Sequence, residues 1–175
     1  MIIVFTGNGK GKTTASLGQM IRVLGRGKSA LMIQFIKGPW ISGEDEFAEK
    51  FKILNSKFKI MKMGLGFVGI LGDKLPIEDH QAAARKALAS FVKEGKSRKW
   101  HLIVLDEVNV AVSLGLLTIQ EVLSAVQDFP EENILVLTGR NAPQEFIDRA
   151  DLATEMREIK HPFQKGKQGV ATVEF

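Results

Sequence analysis

The stretch TGNGKGKTT, Thr6 to Thr14, follows the apolar run IIVF and precedes an amphipathic segment. An apolar strand, a glycine-rich loop closing on Gly-Lys-Thr and a helix form, in that order, a phosphate-binding P-loop. The usual pattern leaves four residues between its first glycine and the closing Gly-Lys-Thr, but here that position holds Thr6, and the glycine follows at Gly7. The sequence therefore predicts a variant P-loop and raises the question of which bond of a nucleotide it helps to break.

The residues of this loop suit phosphate binding. Its three glycines permit unusual backbone angles and a close approach to phosphate. The backbone amides of residues 8–13 can form a cradle, and the dipole of the following helix favours negative charge there. Lys12 is predicted to bridge phosphate oxygens, and the Thr13 hydroxyl is predicted to bind Mg²⁺. The alternative, a glycine-rich turn with a solvated lysine, fits the flanking strand and helix less well.

Apolar runs alternate with amphipathic segments along the chain. Several runs are continuously apolar, which is typical of strands buried on both faces of a parallel sheet. The alternation predicts right-handed βαβ units and a three-layer α/β fold, P-loop NTPase-like and RecA-like, with a mainly parallel central sheet. The length of 175 residues without a convincing linker predicts a single domain over residues 1–175. The predicted strands are Ile2–Phe5, Ala30–Ile36, Phe58–Met63, Leu102–Leu105 and Ile134–Leu137.

Helical patterns separate these strands. An apolar stripe from Leu17 to Leu24 predicts a helix that ends near Gly25–Gly27. A second stripe, from Ala84 to Val92, predicts a helix with Pro76 in its first turn. The sequence TIQE, Thr118–Glu121, is a capping box that opens a third helix.

Composition excludes several classes of protein. The chain has no cysteine, so disulfides, thiolate metal sites and cysteine nucleophiles are absent, which fits a reducing cytoplasm. No apolar run approaches the ~18 residues of a membrane span, and the N-terminus has no signal-peptide pattern. The net charge of +4 fits an anionic ligand, but the basic residues are too scattered to favour nucleic acid. The histidines lack metal-ligand spacing and are predicted to be structural: His80, His101 and His161.

A second motif, HLIVLDE, ends a buried strand on Asp106 and Glu107. Ligand sites of α/β proteins form at the carboxyl edge of the sheet, where these acids are expected. One carboxylate is predicted to hold Mg²⁺ directly or through water, and which of the two does so stays open. Solvated acids at a strand end are the alternative. Arg140, in LTGR, is predicted at the same edge, where it contacts phosphate or forms a surface ion pair.

Two glycine-rich stretches, Lys37–Glu44 and Gly64–Leu75, have no clear helix or strand pattern and are predicted to be loops that line a site. Each contains an aromatic residue, Trp40 in KGPW and Phe67 in GLGF. These two side chains either form an apolar surface for a flat ligand or simply pack. The segment Lys160–Phe163 similarly either reaches a ligand or forms a packed turn.

These residues together predict a Mg-nucleotide-binding P-loop protein but leave the transferred group open. The chain as a whole resembles the P-loop ATP:corrinoid adenosyltransferases of vitamin B12 metabolism, from Phe5 almost to Phe175. Runs such as DEVN…GLL are far more specific than a P-loop alone. The matching stretches are FTGNGKGKTTASLG, QFIKGPW followed by GE, MGLGF, VLDEVNVAVSLGLL, VLTGRNAP, ADLATEM and KHPFQKG.

The resemblance implies transfer of the 5′-deoxyadenosyl group of ATP to the cobalt of a reduced corrinoid, in the formation of adenosylcobalamin. Cobalt(I) attacks C5′ of the ribose and the intact triphosphate leaves, so no general base is required. The resemblance further implies catalytic roles for Lys12, Thr13 and Glu107, the last through Mg²⁺ or its water, and places the Asn109 region beside the nucleotide. The residues implied to bind the triphosphate are Gly7, Asn8, Gly9, Lys10, Gly11, Lys12, Thr13 and Thr14.

On the corrinoid side, members of this family insert aromatic residues beneath the ring and remove the lower axial ligand, which makes Co(II) easier to reduce. Phe67 matches the first of these residues and is expected to act in catalysis, whereas Gly69 stands where a tryptophan is typical. This difference implies less efficient ligand displacement or a different preferred corrinoid, unless Trp40 compensates. Longer members carry an N-terminal segment that helps to cover the site, and this chain starts at the first strand, which implies more exposed corrinoid binding. Glu174 and Phe175 match the family's ending.

Members of this family usually form homodimers, and cobalt must be reduced before transfer. A homodimer and an electron-donating reductase such as a flavoprotein are therefore expected as partners, without membrane or nucleic acid. Two other functions stay open. One is a P-loop ATPase or kinase that hydrolyses or transfers the γ-phosphate, with Glu107 as the evident helper. The other is a protein that carries a corrinoid or nucleotide without turnover. In that case Gly69, in place of the typical tryptophan, is a sign that catalytic activity has been lost.

Overall fold

The computed structural model describes residues 1–52, 57–70, 72–161, 166 and 173, and within them six strands form one parallel sheet. The sheet order is β3-β2-β4-β5-β1-β6. The strands are β1 Ile2–Thr6, β2 Ala30–Gln34, β3 Phe58–Lys62, β4 Leu102–Asp106, β5 Ile134–Thr138 and β6 Leu152–Glu155. The helices are α1 Lys12–Gly25, α2 Gly43–Lys52, α3 Ile77–Lys96, α4 Val108–Ser113, α5 Ile119–Gln127 and α6 Gln144–Arg149.

Helices cover both faces of this sheet. Ile2 and Val4 of β1 face one apolar core, and Ile3 faces the other, because successive side chains of a strand alternate. Helices α3 to α6 contribute buried residues to the first core, and α1 contributes Met20 and Val23 to the second. The predicted three-layer α/β, P-loop NTPase-like fold is confirmed. Within the described part of the chain, no helix has the length and apolar character that crossing a membrane requires.

The five predicted strands are confirmed, with ends that differ by one or two residues. The sixth strand, β6, was not predicted because its four residues are all exposed and form no continuous apolar run. Helix α2 was missed, and so were α4 and α6, since six residues are too few for a helical stripe. Two details were wrong: α2 already begins at Gly43, inside a predicted loop, and Pro76 is the N-cap before α3 instead of a first-turn residue.

The capping box at the start of α5 is confirmed. The Thr118 hydroxyl accepts a hydrogen bond from the Glu121 backbone N–H at 3.1 Å, and the Glu121 carboxylate accepts one from the Thr118 backbone N–H at 2.7 Å. Both groups belong to the first turn, where four N–H groups have no partner within the helix. The local sequence therefore fixes where α5 begins, independently of its packing.

The topology brings the P-loop, the two acids and the two loops with Trp40 and Phe67 to one edge of the sheet. Because the strands are parallel, their carboxyl ends lie together. The P-loop leaves β1 there, Asp106 ends β4 with Glu107 directly after it, and the two loops with Trp40 and Phe67 follow β2 and β3. Strand β5 lies between β1 and β4, so the P-loop and the acids are separated by one strand that itself ends on Thr138.

Candidate functional site

The P-loop connects β1 to α1 through two glycines in the left-handed region. Gly7 has a φ of 92° and Gly11, the N-cap of α1, has a φ of 115°. No acidic residue occupies the first turn of α1, so the positive end of its dipole faces the loop without a neighbouring carboxylate in that turn. Among the other loop residues, Asn8, Lys10 and Thr14 are exposed. The geometry suits an anion at the start of α1.

Contacts with the chain after β6 explain the unusual register of the glycines. A Cβ atom on Gly7 would lie 2.5 Å from the Met156 carbonyl oxygen, and one on Gly9 would lie 2.6 Å from the same atom. The Gly9 N–H donates to this oxygen at 2.6 Å, and the Met156 N–H donates to the Thr6 oxygen at 2.8 Å. Glycine is therefore needed at positions 7 and 9, where any side chain would collide with the neighbouring backbone. The Gly9 N–H already donates to Met156 and is therefore not available to a phosphate.

The side chain of Lys12 spans this loop. It is only 7% exposed, and its Nζ donates to the carbonyl oxygens of Gly7 and Gly9, each at 2.7 Å. Burial lowers the pKa of the Lys12 ammonium, the charge of Glu107 opposes that change, and Arg140 adds to it. The ammonium group thus lies within the loop, in reach of the position that a phosphate would take.

The fully buried carboxylate of Asp106 organises the other half of the site. Its Oδ1 accepts hydrogen bonds from the hydroxyls of Thr13 and Thr138, both at 2.9 Å. Its Oδ2 accepts one from Gln34 Nε2 at 3.2 Å and lies 3.9 Å from Lys37 Nζ. Because Thr13 uses its proton on Asp106, the lone pairs of its oxygen are free to bind a cation. Asp106 thereby orients Thr13.

Glu107 is a carboxylate whose charged form is disfavoured by its surroundings. Its φ of 64° is in the left-handed region, which is uncommon for glutamate, and its N–H donates to Thr138 Oγ1 at 2.9 Å. Burial and then the charge of Asp106 raise the pKa of Glu107 to about 7, against the charges of Lys12, Lys37 and Arg140. A cation bound beside Glu107 would therefore stabilise its charged form at neutral pH.

The raised pKa of Glu107 gives a prediction about stability without nucleotide or metal. The folded state binds the Glu107 proton more tightly than the unfolded chain does, so stability is lost as pH rises from about 4.5 to about 7. Glu107→Gln removes this loss, about 1–2 kcal/mol above pH 7 after allowance for partial exposure. We expect its melting temperature to exceed that of the wild type by about 3–6 °C at pH 8, and by clearly less at pH 5.

Thermal unfolding in the presence of a chelator checks this prediction. The exposed Glu132 provides the matched control, since Glu132→Gln removes one carboxylate charge away from the site. An equal rise in melting temperature for Glu107→Gln at both pH values, or no rise at pH 8, would show that the fold does not disfavour the charged form of Glu107.

The oxygen donors of the site fit Mg²⁺. The Thr13 hydroxyl and the carboxylates of Asp106 and Glu107 lie at one edge of the sheet. Within the described ranges, no three acidic or histidine side chains form a metal cage. Mg²⁺ beside a nucleotide is usually bound through one or two carboxylates together with phosphate and water, and this small donor set agrees with that pattern.

Two further predicted residues lie next to these acids. Arg140 is exposed, and its charge reaches both Lys12 and Glu107. Asn109 is fully buried in α4, and its Nδ2 donates to the Gly139 carbonyl oxygen at 3.1 Å, while its Oδ1 has no hydrogen-bond partner within the described part of the chain. Asn109 therefore fixes the turn that carries Arg140.

The two glycine-rich loops pack against each other. A Cβ on Gly38 would lie 2.7 Å from Gly66 Cα, and one on Gly66 would lie 2.8 Å from the ring of Trp40. Trp40 and Phe67 are 60% and 45% exposed, with ring centroids 5.4 Å apart and planes inclined by 38°. We call these two side chains the aromatic pair. Ile41, Leu65 and Ile70 are exposed on the same two loops, which makes this part of the edge strongly apolar.

Gly69 lies in a turn organised by Asp73. Its φ of 68° is left-handed, its N–H donates to Asp73 Oδ2 at 2.8 Å, and a Cβ atom there would meet nothing within 4 Å. His80 Nε2 lies 3.0 Å from the same Asp73 oxygen and the ring is buried, so the structural role predicted for this histidine agrees with its contacts. Space is thus available at Gly69, but any side chain there carries a backbone cost.

Two residues that donate to Asp106 were not predicted: Gln34 at the end of β2 and Thr138 at the end of β5. Lys37, which lies 3.9 Å from Asp106, and its partner Glu44 bound the stretch predicted to line a site, but neither was singled out. Polar residues at the ends of buried strands were the available signal for Gln34 and Thr138. Met156 ends the matching run ADLATEM, but nothing in that run indicates its contact with the P-loop. In the segment Lys160–Phe163, residues 162 and 163 lie outside the described residues, as do Glu174 and Phe175.

Comparison with known proteins places the chain beside one group of enzymes. The family model described as ATP:corrinoid adenosyltransferase BtuR/CobO/CobP matches residues 1–175. The corrinoid adenosyltransferase of Escherichia coli strain K12 is 32% identical over 175 residues, which cover 100% of this chain and 85% of that protein. The corrinoid adenosyltransferase of a Sinorhizobium species is 36% identical over 100% of this chain and 80% of that protein. The one from Pseudomonas aeruginosa is 35% identical over 100% of this chain and 83% of that protein.

Proposed function

The chain belongs to the ATP:corrinoid adenosyltransferase family, and on that basis we propose that it transfers the 5′-deoxyadenosyl group of ATP to the cobalt of a reduced corrinoid. One observation about the site carries this proposal. A phosphate loop and an exposed aromatic pair, formed by Trp40 and Phe67, lie at the same edge of one sheet. The first suits a triphosphate, and the second suits a large flat ligand beside it.

In the proposed reaction, cobalt(I) supplies an electron pair to C5′ of the ribose, and the bond between C5′ and its oxygen breaks. The electron pair of that bond leaves with the triphosphate. Lys12 and the free amides of the P-loop stabilise the charge that develops on the leaving group. When bound, Mg²⁺ neutralises further charge on the triphosphate, with Thr13 and Glu107 holding it and Asp106 orienting Thr13. Attack on carbon requires no activated water.

A second function has one observation in its favour. The pKa of Glu107, raised to about 7, is suitable for a general base, as a P-loop ATPase or kinase would need. Such an enzyme breaks a bond at the γ-phosphorus and forms ADP. Turnover of ATP without corrinoid would support this function, and the exposed aromatic pair would then have no role.

Incubation of the protein with ATP, Mg²⁺ and a chemically reduced corrinoid tests the proposal. We expect one triphosphate for each new cobalt–carbon bond, with an absorption spectrum that reverts on exposure to light. Formation of ADP and phosphate in place of triphosphate would contradict it.

The partners of the reaction are further parts of this proposal. We expect a homodimer, Co(II) reduction by a separate reductase such as a flavoprotein, and a cytoplasmic location. Sedimentation analysis at micromolar concentration tests the first of these, and dependence of turnover on an added flavoprotein reductase tests the second.

Gly69 gives a prediction about the corrinoid side. The backbone at Gly69 is left-handed and the surrounding space is open, so Gly69→Trp can place a ring beside Phe67 at some cost in stability. If an aromatic ring there helps to remove the lower ligand, we expect adenosylation of a Co(II) substrate, with a flavoprotein reductase supplying the electron, to rise about two- to tenfold, as a ring contact of ~0.5–1.5 kcal/mol allows. A substrate already reduced to Co(I) should gain little.

Gly69→Ala is the matched control, because it has the same backbone cost without the ring. Rates for Gly69→Trp are therefore compared with those for Gly69→Ala. Equal changes for Co(II) and Co(I) substrates would reject this explanation of Gly69.

A further inference from the structure

Lys37 lies between two carboxylates that belong to different elements. Its Nζ forms an ion pair with Glu44, in the first turn of α2, and lies 3.9 Å from Oδ2 of Asp106, at the end of β4. The Lys37 side chain is 31% exposed, while Asp106 is completely buried. Within the described residues, no other cation lies within 4.0 Å of Asp106. The proposed adenosyl transfer does not use this lysine.

The loop that begins at Lys37 carries Trp40 of the aromatic pair. A second lysine holds its middle part: Lys62 Nζ donates to the Trp40 carbonyl oxygen at 2.6 Å and pairs with Asp45 of α2. Both lysines therefore anchor the same loop, but the Lys62 contacts stay within the loop and α2. Only Lys37, of these two, reaches the carboxylate that orients Thr13.

We propose that Lys37 is a positioning residue that ties the loop with Trp40 to the nucleotide site, so that nucleotide and corrinoid bind with a fixed relation to each other. This inference rests on the proposed function. In-line attack needs C5′ and cobalt at a defined distance, and a misplacement of about 1 Å costs on the order of 10²-fold in rate. In the proposed reaction the two substrates bind to different loops. Lys37 links these loops through Asp106, which lies 3.9 Å from its Nζ and accepts a hydrogen bond from Thr13 at the start of α1.

A binding consequence follows from this link. Nucleotide with Mg²⁺ changes the charge around Asp106 and so changes the position that Lys37 and its loop prefer. If the preferred position is the one that accepts corrinoid, ATP tightens corrinoid binding, and by linkage corrinoid tightens ATP binding by the same factor. The size expected for such coupling is about five- to hundredfold.

Binding of unreduced aquacobalamin tests this inference without turnover, because its Co(III) has no electron pair for attack on C5′. The dissociation constant is measured with and without ATP and Mg²⁺. For the wild type we expect ATP to lower it at least about fivefold. The coupling ratio is the dissociation constant without ATP divided by that with ATP. For Lys37→Met we expect this ratio to approach one. For Lys37→Arg, which keeps the charge, we expect most of the wild-type ratio to return.

Lys62→Met is the matched control, since it loosens the same loop without touching Asp106. We expect it to weaken aquacobalamin binding equally with and without ATP, so that the ratio is preserved. Lys37→Arg also separates loss of coupling from a failure to fold, which a melting curve checks for each variant.

Three results would overturn the role of Lys37: a wild-type ratio of one, a wild-type ratio in Lys37→Met, or an equal loss of the ratio in Lys62→Met. Absence of adenosyl transfer by the wild type would instead contradict the proposed function. The binding ratio is measured without transfer, so it still decides the role of Lys37 in that case.

Discussion

Replacing Lys12 by methionine is expected to lower kcat/KM for adenosyl transfer by about 10²- to 10³-fold. Methionine keeps the apolar stem of this buried side chain but removes the ammonium that donates to the oxygens of Gly7 and Gly9. The charge that stabilises the departing triphosphate is then missing in the transition state. Because the interaction strengthens as the bond to C5′ breaks, kcat should fall more than KM for ATP rises.

A steady-state comparison with Lys28→Ala checks this expectation. Lys28 is exposed in the turn after α1, far along the chain from the loop, so its loss removes one positive charge without touching the site. Full activity of Lys12→Met, or an equal loss in Lys28→Ala, would mean that the P-loop does not act on the leaving group.

Asparagine in place of Asp106 is expected to lower transfer by about 10²-fold and to raise the Mg²⁺ concentration needed for half-maximal rate. Both carboxylate oxygens of Asp106 accept hydrogen bonds, from Thr13 and Thr138 on one side and from Gln34 on the other. An amide has a single acceptor oxygen, so its NH₂ group must face a donor on one side. The variant therefore misorients Thr13 or leaves Gln34 opposed by another donor.

Titration of the rate with Mg²⁺ distinguishes this effect from a general loss of folding. The exposed Asp128 supplies the control, since Asp128→Asn makes the same chemical change at the end of α5. Melting curves of both variants are measured beside it. An unchanged Mg²⁺ requirement in Asp106→Asn would contradict the role given to the Asp106–Thr13 hydrogen bond.

Continuous motifs allowed much of this site to be predicted from the sequence. The P-loop and the acids after β4 each lie on one short stretch, with a strand that points them to the carboxyl edge of the sheet. Gln34 and Thr138 were missed, and Lys37 was not singled out within its predicted loop, because their roles depend on the neighbours of β4, which are β2 and β5. Strand order results from tertiary packing and has no signature in the sequence of any one strand.

Gly7, which lies one residue later than the P-loop pattern expects, is a second feature that depends on tertiary packing. From the sequence alone, Gly7 marks an irregular phosphate loop. The close approach of the Met156 carbonyl oxygen to Gly7 and Gly9 gives the physical reason, and it comes from a segment about 150 residues away in the chain. No pattern around Met156 indicates this contact. The family resemblance includes this loop but gives no physical reason for its glycine at position 7.

The bond that breaks in ATP is the central question, and an isotope answers it most directly. ATP with ¹⁸O in the position that joins C5′ to the α-phosphorus is turned over with reduced corrinoid, and the phosphate products are analysed by mass spectrometry. Attack of cobalt on C5′ predicts that the label leaves in intact triphosphate, one for each adenosylated corrinoid. Label retained in ADP, with unlabelled phosphate released, would place the reaction at the γ-phosphorus and contradict adenosyl transfer.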